Sequence, residues 1–240
     1  LELLEQFWSL ANQAMSENPP AAADARLMTV FGDIEVGPGR DLSRLTPGLQ
    51  AGLQRASLRA LMLLPEVHKS NYGTKLVNGW KYPPADLGRS GLQGQFLARA
   101  VLQSLGGIVA NDPDEAVYLV ATRTVDGELL NGEHSYRITF GKDDLPPVQS
   151  FWSMTLYDST NNLAANPLNR YSLGDRNPDL KYAEDGSLSF YVGHEPPADE
   201  LQSNWLPAPD DEFYLLLRTY LPGPAIVEQS WQPPEIELLD

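Results

Sequence analysis

Arg218 is the most isolated charge in the chain: it is the only Lys or Arg after Lys181, and it sits within Phe213-Tyr214-Leu215-Leu216-Leu217-Arg218-Thr219-Tyr220-Leu221. A guanidinium in so apolar a run reads as interior and requires a hydrogen-bonded anionic or carbonyl partner. Strand alternation puts it on the face of Tyr214, Leu216 and Tyr220. Its partner is then either a carboxylate of the fold, Asp158 or Asp175, or an anionic ligand. A second concentration of polar chemistry runs from Asn169 to Arg176, where Arg170, Tyr171, Asp175 and Arg176 surround Gly174. Such a turn can aim guanidinium and phenol groups at a pocket, or tie a long loop down through backbone carbonyls. Trp80 and Tyr82 in one turn-rich stretch, and Asn204-Trp205 in a Pro-bounded one, supply flat walls for a ligand or lids for the core.

Other chemistries find less to work with. Paired carboxylates for hydrolysis need no local motif, so Asp158, Asp175 and Glu195, at expected strand or loop ends, are the candidates for a glycosidic or ester hydrolase. The three histidines, His68, His134 and His194, share no ligand spacing, and Asp210-Asp211-Glu212 lacks the alternation of a calcium loop. No Gly-x-Ser-x-Gly elbow occurs, and the glycines at 88, 91 and 94 precede no Lys-Ser/Thr, so neither a serine nucleophile nor a phosphate cradle is nominated. Neither metal nor cofactor is expected. The chain has no cysteine, which excludes disulfides and thiolate chemistry.

The formal net charge of -15 repels phosphate backbones and anionic lipid, which argues against nucleic-acid and membrane-surface partners. No segment approaches the apolar length of a membrane span. The reading is of a soluble protein of bacterial cytoplasmic or periplasmic type, with the compartment left open. The expected partner is a small molecule; a homo-oligomeric copy or an upstream companion domain is the alternative. At 240 residues and 42% hydrophobic content, the chain can bury a real core.

The elements that must position these residues change character along the chain. Residues 1–110 carry helical periodicity: Leu3, Leu4, Phe7, Trp8, Ala11 and Met15 form one face, a second helix covers Ala21 to Phe31, and a third runs through Leu49, Leu53, Leu58, Leu61, Met62 and Leu64 to stop at Pro65. Asn71 to Ser90 is turn-rich. A fourth helix, with Phe96, Ala100, Val101 and Leu105 facing inward, ends at Gly106-Gly107. Residues 111–240 turn to strand period, with strands expected at 116–125, 134–140, 148–158, 187–194, 213–221 and 235–239. Helices do not alternate with these strands, so the expected fold is α+β: an antiparallel β-sandwich with a layer of N-terminal helices packed on it.

Asn78-Gly79-Trp80-Lys81-Tyr82-Pro83, Phe151-Trp152-Ser153-Met154-Thr155-Leu156-Tyr157-Asp158, Asn166 to Arg176, Asp185-Gly186-Ser187-Leu188 and Ser203 to Pro209 follow one another in a specific order. In that order they resemble the family named domain of unknown function 1214, over about residues 71–234. The resemblance implies a jelly-roll-like β domain with helical elaboration. In larger relatives such a domain is similar to the C-terminal half of proteins whose first half is domain of unknown function 1254, a half this chain is expected to lack. It implies no reaction. Three functions follow as expectations. The first is a small-molecule-binding β-sandwich whose site draws on Trp80, Tyr82, Arg170, Tyr171, Arg176, Asn204, Trp205 and Arg218. The others are a hydrolase using Asp158, Asp175 or Glu195, and a structural or interaction domain.

Overall fold

A computed structural model describes residues 2–107 and 109–239. The chain divides into two compact units, Leu1–Ser70 and Asn71–Asp240, so the change of period near residue 110 lies inside the second.

The first unit is helical, with α1 (Glu2–Glu17), α2 (Ala25–Gly32) and α3 (Pro47–Lys69). Thr46 caps α3 by accepting the Leu49 N–H, and Pro47 occupies the first turn, where a missing donor costs nothing. The stop expected at Pro65 does not occur: α3 continues to Lys69. Pro65 lies in the last turns, where its ring removes a single ladder bond and little helix remains to be disrupted. Buried Asn12 of α1 holds the following loop, donating to the Glu35 and Arg40 carbonyls and accepting the Gly37 N–H. Phe7, Leu58, Leu61 and Met62, read as parts of apolar helix faces, are exposed.

The second unit carries two sheets. The strands are β1 (Lys75–Val77), β2 (Trp80–Tyr82), β3 (Ala116–Ala121), β4 (Tyr136–Phe140), β5 (Val148–Asp158), β6 (Ser172–Gly174), β7 (Leu188–Gly193), β8 (Trp205–Pro207), β9 (Phe213–Pro222) and β10 (Ile236–Leu238), with α4 (Phe96–Leu105) and α5 (Pro224–Val227) among them. The larger sheet has the order β1-β2-β3-β9-β5-β6 and is antiparallel throughout. The smaller, β10-β4-β7-β8, has one parallel pair, β7 with β8. The fold is α+β with two antiparallel-rich sheets. The buried face of α4 runs through Ala98 and Val101, while Phe96, Ala100 and Leu105, expected inside, are exposed.

The stretch 71–90, read only as turns, contains a hairpin. Asn78 and Gly79 have φ of 51° and 83°, the doubly left-handed turn whose twist matches two antiparallel strands. A Cβ at Gly79 would also stand 2.9 Å from the Arg123 carbonyl oxygen. Both requirements favour glycine there.

The two sheets share one core. Trp152 of β5 meets Phe140 of β4 at 5.1 Å and Phe190 of β7 at 5.7 Å between ring centroids, and Tyr136 meets Phe213 edge-on at 5.9 Å. Strand β9 alternates strictly: Phe213, Leu215, Leu217 and Thr219 are buried, and Tyr214, Leu216, Arg218 and Tyr220 half-exposed. Removing the ring that joins the sheets is expected to be severe: Trp152→Ala should lower unfolding free energy by about 3–5 kcal/mol, read from urea denaturation of the isolated protein.

Candidate functional site

The outward face of the larger sheet collects the unusual chemistry. Antiparallel register aligns Tyr118 of β3, Arg218 of β9 and Ser153 of β5 in one row, and Val120, Leu216 and Thr155 in the next. The flanking rows pair Tyr220 with Phe151 and Tyr214 with Tyr157. Since paired residues point the same way, all of these share one face. Apart from Thr155, which is buried, it is half-buried instead of interior, because the rings and the arginine stem cover the backbone while leaving their tips in reach of solvent.

Arg218 donates from Nη1 to the Thr155 hydroxyl at 2.6 Å and from Nη2 to the Tyr157 hydroxyl at 2.7 Å. Its Cζ lies 5.9 Å from the Tyr118 ring centroid and 5.6 Å from that of Tyr157. The pairing expected with Asp158 or Asp175 is not present. Asp158 is engaged by its own turn, accepting from the Thr160 hydroxyl at 2.7 Å and the Asn162 and Thr160 N–H groups at 2.9 Å. Asp175 accepts the Trp152 N–H. Among the described residues no carboxylate forms an ion pair with Arg218.

The rings stand across the strands in two stacks. Tyr157 lies on Tyr214 at 5.3 Å and 13° between planes, and Phe151 on Tyr220 at 4.3 Å and 17°. Tyr118 meets Tyr220 edge-on at 6.0 Å, and Arg176 caps the second stack with its Cζ 3.8 Å from the Phe151 centroid. Stacked so, the rings turn edges outward, and ring edges carry the positive end of the quadrupole. Burial, with the Tyr220 hydroxyl second, pushes the Tyr118 phenol up to about 12, and burial followed by the Tyr157 neighbour raises that of Tyr214. Both phenols therefore stay neutral near pH 7 and do not compensate Arg218. The Tyr118 hydroxyl donates to Asn111 Oδ1, and both residues line a cavity of about 110 Å³ with Pro83, Leu102 and Ile226 among its other walls.

Of the residues singled out from sequence, only Arg218 and Arg176 are on this face. Trp80 and Tyr82 are fully buried in β2, where the indole donates to the Pro234 carbonyl and the phenol to that of Trp231, so neither offers a surface to a pocket. Arg170 donates to the Gln202 and Trp205 carbonyls, Trp205 to that of Gly193, and Asn204 bonds Lys181 and Ser189 backbone. Those three lash the 166–172 loop and β8 to β7. Tyr171 reaches Asn169 at 3.4 Å. The expected acids are separated: Asp175 is anchored at Trp152, six residues along β5 from Asp158, which is about 20 Å of strand and well beyond the spacing of a hydrolytic pair. Glu195 is exposed beyond the end of β7, in the other sheet. Tyr118, Phe151, Thr155, Tyr157, Tyr214 and Tyr220 were not singled out as ligand residues. The alternation that placed Arg218 beside Tyr214 and Tyr220 was the available signal for two of them.

Among the described residues no group of His, Asp or Glu is arranged to hold a metal ion, and no helix is long and apolar enough to cross a membrane.

Residues 115–224 match the family model described as protein of unknown function (DUF1214), which supports the resemblance to that family across the strands that build this face. A crystallised protein from Vibrio parahaemolyticus is 26% identical over 91% of this chain and 51% of its own, with a TM-score of 0.66. The chain thus spans about half the length of that protein. An uncharacterised protein from Burkholderia cenocepacia overlaps 54% of this chain and 31% of its own at 20% identity, with a TM-score of 0.34. Nothing among curated proteins matches.

Two outcomes test these assignments. The Thr160 hydroxyl, then the Asn162 N–H, hold the Asp158 carboxyl below the ordinary carboxylate range. Its stabilising effect is present above that range and disappears as pH falls through the depressed value, so the stability gap between wild type and Asp158→Asn should be widest near neutrality and close in acid. Arg170→Met should lower unfolding free energy by about 1–3 kcal/mol by orphaning two carbonyls, leaving the Tyr118 and Tyr157 ring environments unchanged in NMR spectra.

Proposed function

We propose that the Arg218 face binds a small organic anion. The observation that carries this reading is the partnering of Arg218: a half-desolvated guanidinium held by the hydroxyls of Thr155 and Tyr157, with no carboxylate paired to it among the described residues, in a chain of net charge -15. Charges withdrawn from water are ordinarily compensated, and where the fold supplies no counter-charge a ligand can. The guanidinium has five N–H donors in a planar fork and commits two, so the remaining ones can engage a carboxylate. The Tyr157 and Thr155 hydroxyls, having accepted from Arg218, each keep a proton to donate to the same anion. Ring edges on either side add a weakly positive floor.

The chemistry of the face is recognition. It presents no nucleophile with an adjacent base, and burial keeps the Tyr118 and Tyr214 phenols protonated, so binding is the function proposed for it. This is the small-molecule reading of the sequence with a different wall: hydroxyls and outward tyrosines replace the buried Trp80 and Tyr82.

Calorimetric titration with hexanoate and with benzoate should show saturable binding to the wild-type protein. Arg218→Met should weaken it by roughly 10–100-fold, the effect of losing a charged hydrogen-bonding pair. Arg218→Lys, which keeps charge without the fork, should fall between, and Tyr157→Phe, which spares the core, should weaken binding while leaving stability near wild type. Undiminished affinity in Arg218→Met or no binding by the folded wild type would overturn the proposal.

A further inference from the structure

Arg176 resembles Arg218 in one respect. Its Cζ lies 3.8 Å from the Phe151 ring centroid, and it forms no ion pair with any described carboxylate. The contact is local and exposed, so Arg176 stands at the rim of the same face on which Arg218 stands at the centre. The path between them is aromatic throughout: Arg176 on Phe151, Phe151 on Tyr220 at 4.3 Å, Tyr220 against Tyr118 at 6.0 Å, and Tyr118 beside Arg218 at 5.9 Å. With strands about 4.8 Å apart and about 3.4 Å of rise per residue, this places the two guanidinium groups on the order of 10–15 Å from each other.

Building on the anion-binding reading, we infer that the natural ligand is an α,ω-dicarboxylate, with one carboxylate at Arg218 and the other at Arg176. Its apolar spacer lies over the edges of Tyr220 and Phe151. Two features of the face support this division. The two guanidinium groups lie at its ends, and Ser153, Phe151 and Tyr220 between them are uncharged, with the Glu115 carboxylate set to the far side of Tyr118 beyond Asn111. The acid nearest in sequence to Arg176, Asp175, directs Oδ1 to the Trp152 N–H and does not neutralise its neighbour. A monocarboxylate would satisfy Arg218 alone and leave Arg176 to solvent.

The test is a length series. Affinities of succinate, glutarate, adipate, pimelate and suberate are measured by calorimetry at fixed ionic strength, beside butyrate, hexanoate and octanoate. The dicarboxylates should pass through an optimum length, at which the dicarboxylate exceeds the monocarboxylate of equal carbon number by roughly tenfold, the worth of a second charged contact. Arg176→Met, an exposed change that leaves the core untouched, should abolish the optimum and bring the dicarboxylate down to its monocarboxylate partner, whose own affinity stays as in wild type. Equal affinities for the two series, or an optimum that survives in Arg176→Met, would overturn the inference while leaving the Arg218 site standing. Absence of binding by either series would remove the site itself.

Discussion

The register of β9 between β3 and β5 is the constraint on which the rest of the second unit depends. Side chains alternate with period two, so a slip of one residue on either side would exchange the faces. Leu215, Leu217 and Thr219 would go to solvent, and Tyr214, Arg218 and Tyr220 would be pressed against Trp152 and Phe190. The same hydrogen-bond ladder that closes the core therefore aims Arg218 outward and brings Thr155 and Tyr157 within 2.7 Å of it. Core and site are two sides of one pairing decision. The Thr219 hydroxyl, buried on the inner face, donates to the Val117 carbonyl and so adds a side-chain tie to the β3 side of that pairing.

Charge sets the second constraint. In a chain carrying 32 acidic against 17 basic residues, carboxylates are abundant partners, and some arginines find them: Arg89 bridges Asp112 and Asp114, and Arg137 forms a forked pair with Glu237, while Arg123 and Arg170 donate to backbone carbonyls instead. Arg218 and Arg176 do not. The acids that could have reached them are spent elsewhere, Asp158 in capping its own turn and Asp175 in holding the Trp152 N–H. That division of labour separates arginines that fasten the fold from arginines that face outward with their charge available.

Much of this was legible in the sequence, and the losses have physical causes. The long strands were readable because alternation over six or more residues leaves a clear period; Val148–Asp158 was placed to the residue. A three-residue strand leaves little of it: β10 falls within the strand expected at 235–239, but β2 reads as a turn, and Trp80 and Tyr82 with it as pocket walls. The Asn78-Gly79 dipeptide was the available hairpin signal. Pro65 reads as a stop because nothing in the local sequence shows that it lies in the last turns of α3. For Arg218 the face was legible from its own strand, but its partners lie 61 and 63 residues away, and only cross-strand register brings them together. The same holds for Arg170, whose attachment to Gln202 and Trp205 is a tertiary fact with no local signature.

Anion binding on this face requires that the Arg218 guanidinium be the group that meets the ligand. The most direct measurement is the side-chain Nε–Hε resonance of Arg218 in a nitrogen-15 labelled sample, assigned through its loss in Arg218→Lys and followed during titration with adipate. A saturable shift of that resonance, with the same midpoint as the calorimetric curve, is the result predicted. A stationary Arg218 signal while resonances elsewhere in the protein saturate would contradict the account and move the binding site off this face.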